Sequence, residues 1–270
     1  MTSEAGRRER ARYTRRRQKI ENVTDALIRE RIEKIKPKSV KMCVKYLYVI
    51  DGRVSEAVTK TYKGDPYTTP RGPKGIDARM GIWYSPEYNT QADAMKAQKD
   101  DKVRRVFPAV VFKVNTAKRR GRPRYCAVPI DPKYEPWAME LFKYFEDAGE
   151  EKVFPFGRQK VYRRSKKVWK DLAYVIEDYS VSINTQGAII GIDTEKKTKR
   201  VDRHLRNFTT HALRHVRATD LVNYYGFTGT DLSGFGGWSL SQAMRVSRSV
   251  DRYVDLDWRS YFPKLLKPRY

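Results

Sequence analysis

The segment from His204 to Tyr253 constrains this chain more than any other part of its sequence. All three histidines of the 270-residue chain lie in it, at positions 204, 211 and 215. Its first half predicts an amphipathic helix, because apolar residues recur there at helical spacing, namely Leu213, Val216, Leu221 and Val222. Thr209 or Thr210 is a candidate N-cap of this helix, and Gly226 is a candidate stop signal.

His211 and Arg214 stand three residues apart in this helix and therefore project from one face. An imidazole and a guanidinium aimed at one point suit an oxyanion, above all a phosphate. Gly237-Trp238 and then Tyr253 follow farther along the segment. The segment therefore predicts an anion-binding site on the helix.

The chain as a whole is strongly basic, with 57 Lys and Arg against 32 Asp and Glu and a formal net charge of +25. Such a charge predicts a polyanionic partner, although it does not separate an enzyme acting on DNA from a ribosomal or nucleoid protein. Residues 1–19 are the most basic stretch and predict an arm, either flexible or ordered on phosphates. Its candidate DNA contacts are Arg15, Arg16 and Arg17.

Other function classes lack support in the sequence. The two cysteines, Cys43 and Cys126, belong to no metal-binding or disulfide pattern and predict small buried apolar side chains. We expect no metal and no cofactor, since nucleotide and dinucleotide motifs are missing. No stretch is apolar enough to span a membrane, and the arginine-rich N-terminus is no secretory signal. These features predict a cytoplasmic, DNA-associated protein.

A second motif, D-G-R-V-S-E, occupies residues 51–56. Arg53 and Glu56 are three residues apart, so the carboxylate can hold the guanidinium in one orientation. An exposed ion pair of small consequence is the alternative. Helical patterns over 20–36 and 39–50 precede the motif and are separated by Pro37.

Two apolar runs around a basic turn predict a β-hairpin over about residues 106–130. The basic residues at this turn are Lys118, Arg119, Arg120, Arg122 and Arg124. They suit a DNA-contacting turn, with or without a catalytic role for the lysine. Helices are predicted over 134–147 and 158–176, and 177–203 is a possible hairpin.

In this order, the motifs resemble the catalytic domain of the tyrosine recombinases, the phage and archaeal-virus integrases. Residues 51–56 are similar to the family pattern T-G-x-R-[IV]-S-E, and residues 211–215 match H-x-L-R-H. Gly237-Trp238 resembles L-G-[HW], and Val128-Pro129-Ile130 resembles the hairpin ending V-P-[IL]. The resemblance implies an α+β, mostly helical fold with a small antiparallel hairpin or sheet at one edge. It implies an arm at 1–19 and a catalytic domain at 20–270, with insertions near 59–105 and 177–203.

The resemblance also implies catalytic roles for Arg53, Lys118, His211, Arg214, Trp238 and Tyr253. Arg53 and Arg214 would clamp a scissile phosphate, and Tyr253 would attack it with His211 as base or hydrogen-bond partner. Lys118 would protonate the leaving oxygen. The indole N–H of Trp238 would bind the phosphate.

Supporting roles and alternatives complete this reading. Glu56 would orient Arg53, and His215 would order the helix or contact Glu56. Lys113 is the alternative to Lys118, and Tyr261 competes with Tyr253. The implied activity is site-specific DNA recombination through a covalent 3′-phosphotyrosine, by a homotetramer on two double-stranded DNA sites with possible accessory DNA-bending proteins. A type IB topoisomerase-like nickase and a non-cleaving, recombinase-derived DNA-binding protein are the alternatives.

Overall fold

The computed structural model describes residues 11–19, 23–59, 72–84, 106–116, 123–169, 172–183, 189–193, 206–207, 209–238 and 258–268. Within these ranges the protein is α+β. The helices in chain order are α1 (Asp25–Glu33), α2 (Lys38–Val49), α3 (Val54–Ala57), α4 (Ala138–Glu146), α5 (Arg158–Ser165), α6 (Thr210–Asn223) and α7 (Gly229–Gly236). The strands are β1 (Ala11–Lys19), β2 (Ala78–Tyr84), β3 (Val106–Asn115), β4 (Pro123–Pro129), β5 (Ala173–Ile183), β6 (Ile189–Asp193) and β7 (Arg206–Asn207).

The chain divides into two compact units. The arm unit comprises Met1–Thr24 and Trp169–Phe208, and the helical unit comprises Asp25–Val168 and Thr209–Tyr270. The helical unit contains the four candidate catalytic residues that the structure describes, Arg53, His211, Arg214 and Trp238. The predicted boundary at residue 20, with a single domain from there to 270, therefore differs from this division.

In the helical unit, β2, β3 and β4 form an antiparallel sheet in that order. The β3–β4 hairpin confirms the prediction from the two apolar runs, and Phe112 lies opposite Cys126 in its register. Strand β2 was not predicted, because the Pro- and Gly-rich residues before it favoured a loop over the first part of 59–105. It is an edge strand that exposes Met80 and Ile82, so it lacks the apolar run that marks a buried strand.

Helix α2 is the centre of the helical unit. It is buried from Met42 to Val49, as expected for a helix rich in apolar and aromatic residues, and the buried Lys45 pairs with Glu33 and Glu140. The ring of Tyr46 packs against Phe112 of β3, Phe145 of α4 and Phe154, at centroid distances of 5.4, 5.1 and 5.7 Å. This aromatic cluster joins the helices to the sheet. Cys43 and Cys126 are both buried and unpaired, as predicted.

A buried ion-pair network holds α1 and α6 together. The Glu135 carboxylate accepts two hydrogen bonds from Arg29, at 2.7 and 3.0 Å, and one from Arg217 at 3.2 Å. Burial alone would raise the pKa of Glu135, but Arg29 and Arg217 outweigh it and hold that pKa below its usual range. The network therefore stays ionised at neutral pH and links Arg217 of α6 to Arg29 of α1 through Glu135.

In the arm unit, residues 11–19 of the predicted arm form a strand. Strand β1 pairs antiparallel with β5 over its whole length, and its register sets residues Arg16 and Arg17 opposite Asp178 and Glu177. Strand β6 pairs with the other edge of β5, which confirms the hairpin expected in 177–203, and β7 also pairs with β5.

Helix boundaries differ from the predictions where tertiary pairing competes with helical periodicity. The helix predicted over 158–176 ends at Ser165, and the chain from Ala173 enters β5. The helices predicted over 20–36, 39–50 and 134–147 are found as α1, α2 and α4. Among the residues that the structure describes, no helix is both long and apolar enough to cross a bilayer.

Candidate anion-binding site

Glu56 is the centre of the site. Arg53 precedes α3 as its N-cap, and the Glu56 carboxylate accepts hydrogen bonds from both the backbone amide of Arg53 (2.9 Å) and its guanidinium Nη1 (3.1 Å). The predicted contact between the two residues is therefore confirmed. It is no exposed pair, because the Glu56 side chain is only 2% exposed. The residue with a left-handed backbone in this motif is Asp51, at φ 51°, rather than the neighbouring glycine.

Arg124 is a second partner of Glu56, and its assignment as a DNA contact is corrected. Its side chain is 1% exposed, and Nη2 donates to Glu56 Oε2 at 3.2 Å and to the Ile50 carbonyl at 3.1 Å. Nη1 donates to the carbonyl of Phe235. Alternation along β4 turns Arg124 into the core, although the sequence places it beside a basic turn. It is a structural support of the site.

Arg214 on α6 reaches the same carboxylate from the other side. Its side chain is 1% exposed, and Nη1 lies 4.0 Å from Glu56 Oε2. Nη2 donates to the Gly236 carbonyl at 2.8 Å, while Arg53 Nη2 donates to the Gly237 carbonyl at 3.4 Å. The two arginines predicted to act as a pair thus meet at consecutive carbonyl groups. The Nη1 group of Arg214 has no hydrogen-bond partner among the described residues.

The two residues at the end of α7, Gly236 and Gly237, must be glycine for the neighbouring side chains to come this close to the backbone. A Cβ atom at Gly236 would lie 2.1 Å from Asp51 Oδ2 and 2.8 Å from the Trp238 ring. Gly237 has φ 68°, a left-handed conformation that glycine adopts without strain. The Gly-Gly pair therefore lets Asp51, Trp238 and the two arginines pack around one turn.

Trp238 covers the guanidinium of Arg214, with the Arg214 Cζ 4.4 Å from the ring centroid. Its indole Nε1 donates to Asp51 Oδ2 at 2.5 Å. The expectation that this N–H binds a phosphate is corrected, because the donor is engaged by a buried carboxylate. Trp238 contacts Arg214 with its ring face, whose π electrons attract the guanidinium cation.

The two histidines of the H-A-L-R-H motif lie beside Trp238. His211 is exposed and His215 is half-buried, and their Nε2 atoms are 3.3 Å apart. The His215 ring packs edge-on against Trp238 at 5.7 Å between centroids. Among the described residues the hydrogen bond of His215 goes to His211 and not to Glu56, so the predicted Glu56 contact is wrong.

The electrostatics of the cluster favour a bound anion. Burial lowers the pKa of Arg214 to about 10, and the Arg53 charge adds to this effect, so the guanidinium remains protonated at neutral pH. Burial, His211 and Arg214 lower the pKa of His215 to about 4, which keeps its ring neutral. Burial would raise the pKa of Glu56, but Arg124, Arg214 and Arg53 outweigh it and lower that pKa. Three arginines therefore surround one permanent carboxylate.

Helix α6 is built as the sequence indicates, with one exception. Thr209 is its N-cap, and its hydroxyl accepts from the amide of Ala212 at 3.4 Å. Leu213, Val216 and Leu221 are buried, whereas Val222 is exposed. Gly226 has φ 70° just beyond the helix, in agreement with the predicted stop.

The two alternative residues, Lys113 and Tyr261, contact groups other than the arginine cluster. Lys113 is opposite Tyr125 in the hairpin register, one position from Arg124, so it lies on the other face of the sheet. Its Nζ lies 4.0 Å from Asp77 instead. Tyr261 is 1% exposed, and its hydroxyl donates to the Tyr125 carbonyl and accepts from the Ala127 amide. Tyr261 is a core residue.

Several predicted site residues are outside the described residues, namely Lys118, Arg119, Arg120, Arg122 and Tyr253. The structure places Arg15, Arg16 and Arg17 in β1 of the arm unit. Their predicted DNA contacts stay predictions.

Two features were missed at the sequence level. Asp51 is one, because nothing in its local sequence signals its hydrogen bond to Trp238. Lys160, Arg163 and Arg164 on α5 and Lys167 just beyond it line a cleft of about 320 Å³. Their i, i+3, i+4, i+7 spacing is typical of one helix face, but the sequence predicts no function for them.

Comparisons of the chain with protein-family models, curated proteins and solved structures found no match. The geometry alone thus defines the class of this site, a paired-arginine cluster beside two histidines. Among the described residues no group of His, Cys, Asp and Glu side chains could hold a metal ion.

Proposed function

We propose that this protein is a tyrosine recombinase, an enzyme that cuts and rejoins double-stranded DNA through a covalent 3′-phosphotyrosine intermediate. One observation carries the proposal. Arg53 and Arg214, far apart in the chain, meet at the consecutive carbonyl groups of Gly236 and Gly237, next to the two histidines and Trp238.

The two arginines suit the stabilisation of a phosphodiester during attack. Negative charge grows on the non-bridging oxygens in the pentavalent transition state, and charged donors that are already fixed stabilise it most. Glu56 fixes Arg53, while Glu56, Gly236 and the Trp238 ring fix Arg214. The Arg53 side chain is 23% exposed and is the donor open to an anion, whereas Arg214 Nη1 is buried without a hydrogen-bond partner among the described residues and lies 4.0 Å from Glu56 Oε2.

The proposed reaction balances without metal or ATP. The phenol oxygen of Tyr253 forms a bond to phosphorus as the bond to the 5′-oxygen breaks. The phenol proton passes to His211, and the leaving 5′-oxygen takes a proton from Lys118. Attack by a second 5′-hydroxyl reverses these steps and releases the tyrosine. Action as a homotetramer on two DNA sites, with accessory bending proteins, is part of the proposal.

A nicked suicide duplex tests this function. We expect the wild-type protein to form a covalent adduct, Tyr253→Phe to form none, and Tyr261→Phe to keep it at reduced stability. The Tyr261 hydroxyl bonds two backbone groups in the core, so its loss affects folding and not chemistry. Mass-spectrometric mapping of the attached residue checks the assignment. An undiminished adduct in Tyr253→Phe would refute it, and strand exchange between two duplexes separates recombination from nicking.

The basic surface formed by α5 and the turn after it favours DNA binding whether or not the protein cleaves. Lys160, Arg163, Arg164 and Lys167 are exposed, and no ion pair to them occurs among the described residues. By contrast, Lys34 and Lys133 are exposed lysines that pair with Glu30 and Asp131. Unpaired cations along one helix face suit a phosphate backbone.

Replacement of Lys160 and Lys167 by glutamine should therefore reduce the salt dependence of DNA binding. Each lost phosphate contact lowers the slope of log K against log[salt] by about 0.9, so we expect a change of about 2. Fluorescence anisotropy at several salt concentrations measures it. The matched Lys34/Lys133 double glutamine variant should retain the wild-type slope. Equal slopes for all three proteins would remove α5 from the DNA interface.

A further inference from the structure

Asp51 occupies a position that is energetically unfavourable for a carboxylate. It lies between α2 and α3 with φ 51°, a conformation that Asp adopts more readily than most residues but less readily than glycine. It is 0% exposed. Burying a carboxylate is unfavourable unless its partners compensate, so the side chain requires a physical explanation.

The contacts of Asp51 are with the residues that build the site. Oδ2 accepts the 2.5 Å hydrogen bond from Trp238 Nε1 and lies against Gly236. Oδ1 is buried without a hydrogen-bond partner among the described residues. Burial raises the pKa of Asp51 to about 6, although Arg214, the Trp238 hydrogen bond and Arg124 oppose the shift. Its charge therefore changes close to neutral pH.

We propose that Asp51 is a positioning residue that holds Trp238 against Arg214, and that its negative charge sets how tightly the site binds an anion. The second half of this inference rests on the proposed function, since it assumes an anion between Arg53 and Arg214. The first half does not.

The direction in which pH changes the anion affinity follows from repulsion between like charges. An oxyanion bound by the arginines adds a second negative charge to a cluster that holds the Asp51 carboxylate, which disfavours both charges together. Anion binding should therefore take up a proton, and protonation should tighten anion binding by the same factor. Affinity is expected to rise as the pH falls through about 6.

The other charged or titratable groups of the cluster are Arg124 and Cys126 on β4, Arg53 and Glu56 at α3, and His211, Arg214, His215 and Arg217 on α6. Most of them keep their charge in this pH range. The pKa of Glu56 is lowered, that of His215 lies at about 4, and burial raises that of Cys126 to about 12. His211 is the remaining group to control for.

Sulfate is a suitable probe, because it stays a dianion between about pH 5 and pH 8. We expect wild-type sulfate affinity to increase on the order of tenfold from pH 8 to pH 5, which corresponds to a change of about one unit in the pKa of Asp51. Asn tolerates the same backbone and keeps a neutral acceptor. Asp51→Asn should bind sulfate at pH 8 about as tightly as the wild type does at pH 5. The same pH dependence in Asp51→Asn would assign the effect to His211 and overturn this half of the proposal.

The indole N–H resonance of Trp238 tests positioning without any anion or DNA. Trp238→Phe identifies the resonance among those of the five tryptophans. In the wild type it should shift with pH through about 6. The shift should vanish in Asp51→Asn, and in Asp51→Gly the resonance should move to a solvent-exposed position. An unchanged resonance in Asp51→Gly would overturn the positioning role. If the Trp238 resonance shifts with pH but the protein forms no covalent DNA adduct, the recombinase assignment is wrong and the positioning role of Asp51 still holds.

Discussion

Replacing Glu56 by alanine is expected to lower the free energy of unfolding by about 3–5 kcal/mol, the cost typical of removing one partner from a buried ion pair. Arg124 and Arg214 are 1% exposed and would remain charged in the core with fewer partners. The backbone amide of Arg53 would also lose its acceptor. Urea unfolding followed by circular dichroism measures the change.

A matched control for Glu56 is Glu30, which forms an ion pair with Lys34 on the surface of α1. Glu30→Ala should unfold at the wild-type urea concentration, because solvent screens that pair. Glu56→Gln should fall between the two, since it keeps the shape and one acceptor but loses the charge. Equal midpoints for Glu56→Ala and the wild type would show that the cluster does not depend on this carboxylate.

Arg53→Ala is expected to slow covalent adduct formation by about 10²–10³-fold while leaving the fold intact. Loss of one charged donor to a transition-state oxyanion typically costs about 3–4 kcal/mol. Unlike Arg214, Arg53 lies at the edge of the cluster with its side chain 23% exposed, so its removal leaves no large cavity. Single-turnover cleavage of the nicked duplex gives the rate.

Arg53→Lys is the informative companion to Arg53→Ala. Lysine keeps the positive charge but cannot donate to Glu56 and Gly237 from one planar group. We expect the lysine variant to bind DNA like the wild type and to cleave it slowly. A wild-type cleavage rate in Arg53→Ala would mean that Arg53 does not touch the reacting phosphate.

Elements with a strong local pattern were predictable from the sequence. The apolar run of α2, the two strands around the basic turn and the helix after Thr209 each combine periodicity with a start or stop signal. The motif residues around Arg53 and around His211 were also chosen correctly as neighbours, since they meet in one cluster. For the helices and the hairpin, the residues that decide the structure are close together in the chain, whereas the two distant motifs were paired through the family resemblance.

Elements that depend on a distant partner were not predictable. The sequence of β1 is typical of a basic arm, and only its pairing with β5 identifies it as a strand. Strand β2 is likewise identified only by its pairing with β3. The helix predicted over 158–176 ends at Ser165, and its last predicted residues, from Ala173 onward, belong to β5. Strand pairing is a long-range interaction that local propensity does not contain.

The features of the candidate site also fall into those that the sequence predicted and those that it did not. Helical spacing placed His211 and Arg214 on one face of a helix, whereas the pairing of Arg53 with Arg214 was implied by the family resemblance. Only the tertiary structure decided that Arg124 is a buried support rather than a DNA contact, and that the Trp238 N–H is held by Asp51. The physical reason is that the charge and hydrogen-bonding state of a side chain depend on burial, and burial is set by residues far away in sequence.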